Sequence, residues 1–233
     1  MIALKKDFVN ENTESYCAKG KLLSSGKAYY LLDSYGNIHF AGKQCAEQYA
    51  TNDLSQIPDL TKSLTARHEG TSTGGRTIGG TNKQNDFDKS KAITYLLFRE
   101  EKLSDYTLNG KSMSYSKLQE YYQIYKNEND LSNDAIRHIL NIEKYTVENI
   151  NRRLSLKNLS TCYAYQYILE RTLEHLRNNN NNEGIEFVNS LLNGDKGLKK
   201  YCGLTQEQIV GLSKWLQFLP QDLRETKLKN FSF

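Results

Sequence analysis

Two cysteines near the N-terminus, Cys17 and Cys45, stand where small zinc-binding modules place their ligands. Each would begin a Cys-x₂-Cys pair, but the second positions of those pairs hold Gly20 and Gln48. Structural zinc needs four nitrogen or sulfur ligands, and His39 could supply only a third. We therefore expect no metal and no other cofactor. If a metal were bound, Cys17 and Cys45 would be among its ligands.

A β-hairpin followed by a short helix is predicted between and after these cysteines. Residues 27–32 (KAYYLL) and 37–41 (NIHFA) are rich in strand formers, and the turn between them ends in Gly36. Residues 42–50 have a helical pattern. This order of cysteine, hairpin and helix resembles a treble-clef zinc finger that has lost half of its ligands, which implies a finger-like fold without zinc. The alternative is an unrelated unit with two buried free thiols.

Residues 132–158 resemble a helix-turn-helix, with a helix capped at Ser132 or Asn133 and a turn near residues 141–145. The second helix would open at Thr146 and enter the major groove of DNA. Asn bonds adenine and Arg bonds guanine or phosphate, which makes their side chains suitable for reading bases. The candidate reading face is Thr146, Asn149, Asn151, Arg152 and Arg153, with Arg137, Lys144 and Lys157 as further cations. An ordinary helical bundle with a polar solvent face is the alternative.

Two other basic segments are candidates for contacts with phosphate or with an acidic partner. Residues 65–86 are rich in Gly, Thr and Ser, and carry Arg67 and Arg76. A nucleotide-binding loop is disfavoured there because Gly80 occupies the position of the required Lys. We expect a flexible linker that could become ordered on nucleic acid. Lys199 and Lys200 form the other cluster, although most such clusters are merely solvated surface.

The composition is that of a mildly basic protein, with 31 basic and 27 acidic residues and a formal charge of +4. Such a balance permits binding to nucleic acid without requiring it. Sixteen tyrosines suit half-buried positions and base-stacking surfaces, although AT-rich coding would also enrich them. No signal peptide or membrane-spanning run is evident. Four widely spaced cysteines indicate a reducing compartment and no disulfide framework, so we expect a cytoplasmic protein.

The predicted fold class is α+β, with a small N-terminal hairpin and helix module followed by a mostly helical domain. Residues 1–64 form the first domain, 65–86 the linker and 87–233 the helical domain. The first helix of that domain would be capped by Asp86 or Asp88. The longest helix would cover residues 160–177. A helix ending at Gly194 and another beginning with a capping motif at Thr205 would follow.

Enzyme signatures are lacking, since none of the four histidines sits in a metalloprotease motif or an evident catalytic triad. The favoured hypothesis is a non-enzymatic nucleic-acid-binding accessory protein of a mobile genetic element, with DNA or RNA as partner. The alternative is a stoichiometric inhibitor of a host protein or nucleoprotein complex, because the composition resembles that of small phage and plasmid proteins such as anti-CRISPR proteins. An enzyme of unrecognised type is a lesser alternative. A homodimer could form through the apolar helix face Ile209, Leu212, Trp215 and Leu216, unless those residues belong to the core.

Overall fold

A computed structural model describes residues 1–10, 12–61, 81–217, 219, 221–224, 228–231 and 233, with only the backbone of 81–85, 222 and 223. The described residues fall into two compact units. The first comprises residues 1–61 with 81–94, and the second runs from Tyr95 to Phe233. Small antiparallel sheets precede a series of helices, which confirms the predicted α+β class.

A three-stranded antiparallel sheet forms the centre of the first unit. Its strands are β1 (Ile2–Phe8), β4 (Lys27–Leu32) and β5 (Ile38–Ala41), in the order β1-β4-β5. The β4–β5 hairpin is the one that the sequence predicts, and Gly36 takes a φ of 86° in its turn. The predicted short helix is α1 (Lys43–Tyr49), whose Ala46 packs on the sheet. Strand β1 was not predicted, because its central Lys-Lys-Asp run hides any apolar alternation.

The structure corrects the expectation that the cysteines form no disulfide. Cys17 lies between β2 (Glu14–Ser15) and β3 (Ala18–Leu22), and it is bonded to Cys45 on α1 with the Cα atoms 5.9 Å apart. These residues are separated by 28 positions, so only the return of the hairpin brings them together. With this bond formed, neither sulfur is available as a zinc ligand. Cys162 and Cys202 are free and buried, and no group of three or more metal-ligating side chains occurs among the described residues.

The start of the helical region differs from the prediction. Helix α2 spans Thr81–Leu97, so Asp86 and Asp88 lie inside it and cannot cap its N-terminus. The last residues of the predicted linker are thus helical. The remainder of that linker, with Arg67 and Arg76, lies outside the described residues.

The second unit is built mainly from helices. After α2 come a π-helical turn (Phe98–Lys102) and a small hairpin, β6 (Thr107–Leu108) with β7 (Lys111–Ser112). The larger helices that follow are α3 (Ser116–Glu128), α4 (Asn133–Asn149), α5 (Leu156–Asn178), α6 (Asn182–Asn193) and α8 (Gln206–Leu216). Two single-turn helices, α7 (Leu198–Tyr201) and α9 (Gln221–Arg224), complete the order. None of the described helices is long and apolar enough to cross a membrane.

Several predicted helix ends are confirmed. The Ser132 side chain accepts a hydrogen bond from the Ala135 amide at the start of α4. Thr205 and Gln208 form a reciprocal capping box on α8, and Gly194 ends α6. Helix α5 starts earlier than predicted, because Ser155 rather than Ser160 is its N-cap.

Helix α5 provides much of the core of the second unit. Its buried apolar side chains include Leu159, Tyr165, Leu169 and Leu173. The apolar face of α8 is also internal, since Ile209, Leu212 and Leu216 are buried. These three residues therefore belong to the core, which is the alternative that the sequence left open for this face.

Candidate ligand-binding groove

The predicted helix-turn-helix is absent. The turn was expected near residues 141–145, yet α4 runs without interruption through that segment. Ile139, Glu143 and Thr146 are buried at successive turns of the helix, so one inward face continues through the expected break. Thr146 is therefore a buried residue within α4 and not the start of a recognition helix.

Three of the predicted binding cations are paired with neighbouring carboxylates. Arg137 Nη1 lies 3.4 Å from Asp134 Oδ1, and Lys200 Nζ lies 2.9 Å from Asp195 Oδ1. Lys199 pairs with Asp105. Such surface pairs contribute little to stability. Each carboxylate nevertheless neutralises part of the positive charge that would attract a phosphate.

Arg153 is held in an aromatic cradle. Its guanidinium carbon lies 3.8 Å from the ring centre of Tyr201 and 4.2 Å from that of Phe233. Cation–π contacts at this distance are stabilising, which gives Arg153 a structural role. Asn151 also has a local role, because its side chain accepts a hydrogen bond from the Arg153 amide at the start of a 3₁₀ turn (Arg152–Leu154).

Apart from the ion-paired Arg137 and Lys200, the predicted residues with exposed side chains in the described parts of the chain are Lys144, Asn149, Arg152 and Lys157. The Asn149 amide donates to the Tyr145 carbonyl, so part of its hydrogen-bonding capacity is used within α4. Lys144 and Arg152 make no ion pair with any carboxylate in the described parts of the chain. They are the two predicted cations best placed to meet an external anion.

A groove of about 680 Å³ lies beside α4 in the second unit. Residues 108–115 line one side of it, and the second half of α4 with residues 150–154 lines the other. Three exposed apolar side chains border it: Tyr115 (49% exposed), Tyr145 (62%) and Ile150 (66%). Exposed apolar side chains that gather around one concavity are typical of a binding site, whereas single ones scattered over a surface are not. The groove is therefore our candidate site.

The polar groups of the groove come from both sides. Asn109, Asn141, Asn151 and His138 present amide and imidazole groups, and Lys111 adds an exposed cation. His138, Asn141 and Tyr145 share one face of α4 because they are three, four and seven residues apart. The groove thus combines flat rings with hydrogen-bonding groups suited to a planar, polar ligand.

The side of the groove formed by residues 108–115 is held in place by the π-helical turn. Arg99 Nε donates to the Met113 carbonyl at 2.9 Å, and the same oxygen accepts from Nη2. The carboxylate of Glu100 accepts from Ser114 Oγ at 2.7 Å and from the Tyr115 amide at 3.3 Å. These bonds fix the backbone that carries Tyr115.

A tight turn joins β6 to β7 at the start of this segment. Asn109 and Gly110 both have positive φ angles, 53° and 74°. Two such residues in succession favour a two-residue hairpin turn. This turn brings Leu108 and Lys111 to the edge of the groove.

A smaller cavity of about 470 Å³ lies between α3 and α4 and shares His138 and Asn141 with the groove. The Tyr121 hydroxyl lies 2.7 Å from His138 Nδ1. Glu128 and Asp134 line this cavity, which makes it less suited to an anion than the groove.

Sequence reasoning located part of this site and missed the rest. Of the residues selected for the reading face, Thr146 and Asn151 line the groove, whereas Asn149 and Arg152 do not. Lys144 was also selected and does not line it. Arg99, Lys111, Tyr115, His138 and Tyr145 were not selected. The helical spacing of His138, Asn141 and Tyr145 was a usable signal, but the hairpin residues carry no motif.

No family model, curated protein or solved structure matches the chain. The groove combines stacking surfaces, hydrogen-bonding groups and a lining cation, Lys111, which suit a ligand with planar rings and negative charge.

Proposed function

We propose that this protein is a non-enzymatic nucleic-acid-binding accessory protein of a mobile genetic element, and that it takes single-stranded DNA or RNA into the groove beside α4. The observation that carries the proposal is the placement of two exposed tyrosine rings, Tyr115 and Tyr145, in one groove that the cation Lys111 also lines. Proteins that bind single strands combine aromatic platforms with a basic surface in the same way.

In this proposal, the two tyrosine rings stack on the bases of the strand. Stacking of a base on an aromatic side chain contributes about 1–3 kcal/mol by alanine substitution, and every base has a face that can stack. Asn141, Asn151 and His138 offer donors and acceptors to base edges. Such a site would bind many sequences with modest preferences.

The cations near the groove attract the negatively charged phosphates of the strand. Lys111, Lys144 and Arg152 are exposed, and within the described ranges none of them forms an ion pair. Lys144 is three residues from Asn141, which places it one helical turn from the groove. These residues are suited to the phosphates of a strand whose bases enter the groove.

A single strand suits this surface better than a duplex. The paired bases of a duplex show only their edges, and reading them requires a protruding helix or ribbon. Here α4 forms one side of a concavity, so its Tyr145 is suited to an unstacked base. Because α4 is continuous, the operator-binding form of the nucleic-acid hypothesis lacks the helix-turn-helix on which it was based.

The test is a fluorescence-anisotropy titration of labelled single-stranded DNA, single-stranded RNA and duplex DNA at low and at physiological salt. We expect the single strands to bind with an affinity that falls as salt rises. The double variant Lys144→Ala with Arg152→Ala should weaken binding and flatten the salt dependence. The matched control is Arg177→Ala, which removes an exposed arginine at the opposite end of α5, roughly 30 Å from Arg152 along the helix.

A second function is favoured by the exposure of Ile150. An isoleucine that is 66% exposed beside an exposed tyrosine suits a protein–protein contact. The corresponding proposal is a stoichiometric inhibitor of a host defence nucleoprotein complex. Anisotropy curves that stay flat for all three nucleic acids at low salt would favour this function over the first.

We place the protein in the cytoplasm, where its proposed ligands occur. Cytoplasmic thiol pools keep most protein disulfides reduced, so the bond between Cys17 and Cys45 should be open there for most of the time. Alkylation of thiols in intact cells, followed by mass spectrometry, should then find both cysteines modified. Protection of both would argue for an oxidising compartment.

A further inference from the structure

The groove contains a buried positive charge, that of Arg99, to which the function proposed above assigns no role. This side chain is only 5% exposed and lines the groove from the π-helical turn. Its bonds go to the Met113 carbonyl and to the Tyr95 hydroxyl, which are neutral acceptors. In the described portion of the chain, Arg99 has no ion-pair partner.

The nearby carboxylates are engaged elsewhere. Glu100 accepts hydrogen bonds from Ser114 and from the Tyr115 amide. Glu143 is buried on α4, and its Oε1 accepts from the Leu156 amide at 2.9 Å. Among the described residues, no carboxylate forms a bidentate pair with Arg99, although burying an uncompensated charge is costly.

The guanidinium also has spare hydrogen-bonding capacity. Of its five N–H donors, one on Nε, one on Nη1 and one on Nη2 are used by Met113 and Tyr95. One donor on Nη1 and one on Nη2 have no acceptor among the described residues. A planar fork of this kind matches two oxygens of a phosphate group.

We infer that the groove binds the phosphorylated end of a single strand, with the terminal phosphate at Arg99 and the adjoining base against Tyr115 or Tyr145. The inference rests on the proposed function and specifies its ligand. The groove volume of about 680 Å³ falls within the roughly 300–1,000 Å³ of pockets that hold small ligands, so it suits a strand end. An internal phosphate is flanked by sugars on both sides, and it could not approach so buried a guanidinium.

The test compares three versions of one internally labelled, single-stranded oligonucleotide: with a 5′-phosphate, with a 3′-phosphate and with neither. Anisotropy titrations of the wild-type protein at low salt should show about tenfold tighter binding for one of the two phosphorylated versions. Equal affinity for all three would overturn the inference and leave the proposed function standing. No binding of any version would contradict the proposed function as well.

Substitutions then locate the phosphate. Arg99→Lys keeps the charge but loses the fork, so the three oligonucleotides should bind with nearly equal affinity, whereas the control Arg177→Lys should keep the preference. Thermal unfolding shows whether Arg99→Lys is folded. Tyr95→Phe is the second variant, since it removes a neutral acceptor of Nη1 and leaves the guanidinium. The preference should persist in Tyr95→Phe, and its loss would count against Arg99 as the phosphate-binding residue.

Discussion

His39 and Asp33 are joined across the β4–β5 turn, where His39 Nε2 donates to Asp33 Oδ2 at 2.9 Å. The same carboxylate accepts from the Asn37 side chain and from the amides of Asn37 and Tyr35. These bonds favour the ionised form, so they hold the pKa of Asp33 well below its ordinary value, with the His39 bond as the main cause. The turn is thus closed by a charged carboxylate.

Asp33→Asn should therefore loosen the hairpin in a pH-dependent manner. A lowered pKa in the folded state means that the contribution of Asp33 is complete above the unfolded carboxyl pKa, near pH 4, and is lost as pH falls toward the folded pKa. Hydrogen exchange of residues 27–41 should show faster opening in the variant at pH 6, and the difference from wild type should shrink below about pH 4. A difference that stays constant with pH would contradict this role. Asp134→Asn, in the second unit, is the control.

The bond between Cys17 and Cys45 should stabilise the first unit under oxidising conditions. Closing a loop of this length removes entropy from the unfolded chain, and the expected contribution is about 3 kcal/mol. Urea unfolding of the oxidised protein should therefore show a higher midpoint for this unit than unfolding in dithiothreitol. The double variant Cys17→Ala with Cys45→Ala is the control, because its midpoint should not respond to the reductant. Equal midpoints for the oxidised and reduced wild-type protein would be inconsistent with a stabilising bond.

Gly184 is placed where a side chain would collide with the core. A Cβ atom there would lie 2.7 Å from Trp215 Cζ3 and 3.0 Å from two methyl groups of Leu176. Gly184→Ala should lower the free energy of unfolding by about 1–3 kcal/mol through overpacking, although alanine has the higher helix propensity. Glu186→Ala, an exposed change on the same helix, should alter it by about 0.5 kcal/mol or less. A stabilised Gly184→Ala protein would show that Trp215 can move aside at little cost.

The parts of the fold that the sequence predicts are those decided by local chemistry. Gly36 marked the hairpin turn, Ser132 marked the start of α4, and Thr205 with Gln208 marked the start of α8. Each of these signals depends on residues within a few positions of one another. They could therefore be recognised without knowledge of the tertiary structure.

The features that were missed depend on contacts between distant residues. Cys17 meets Cys45 only after the hairpin has folded back. The hydrogen bond from Arg99 to the Met113 carbonyl depends on a π-helical turn that no local sequence pattern predicts. The helix-turn-helix was predicted because Thr146-Val-Glu resembles a helix start, but the continuous buried face of α4 overrides that local preference.

The measurement that tests the central claim most directly compares single-strand binding by wild type, Tyr145→Ala and Tyr35→Ala. Tyr145 lines the groove, whereas Tyr35 is 89% exposed in the turn of the first unit, so the two changes remove the same ring from different units. We predict that Tyr145→Ala weakens the affinity for a single-stranded oligonucleotide at least fivefold, in line with the loss of about 1–3 kcal/mol of stacking. Tyr35→Ala should bind as the wild type does. Equal affinities of the Tyr145→Ala and wild-type proteins would contradict base stacking in the groove.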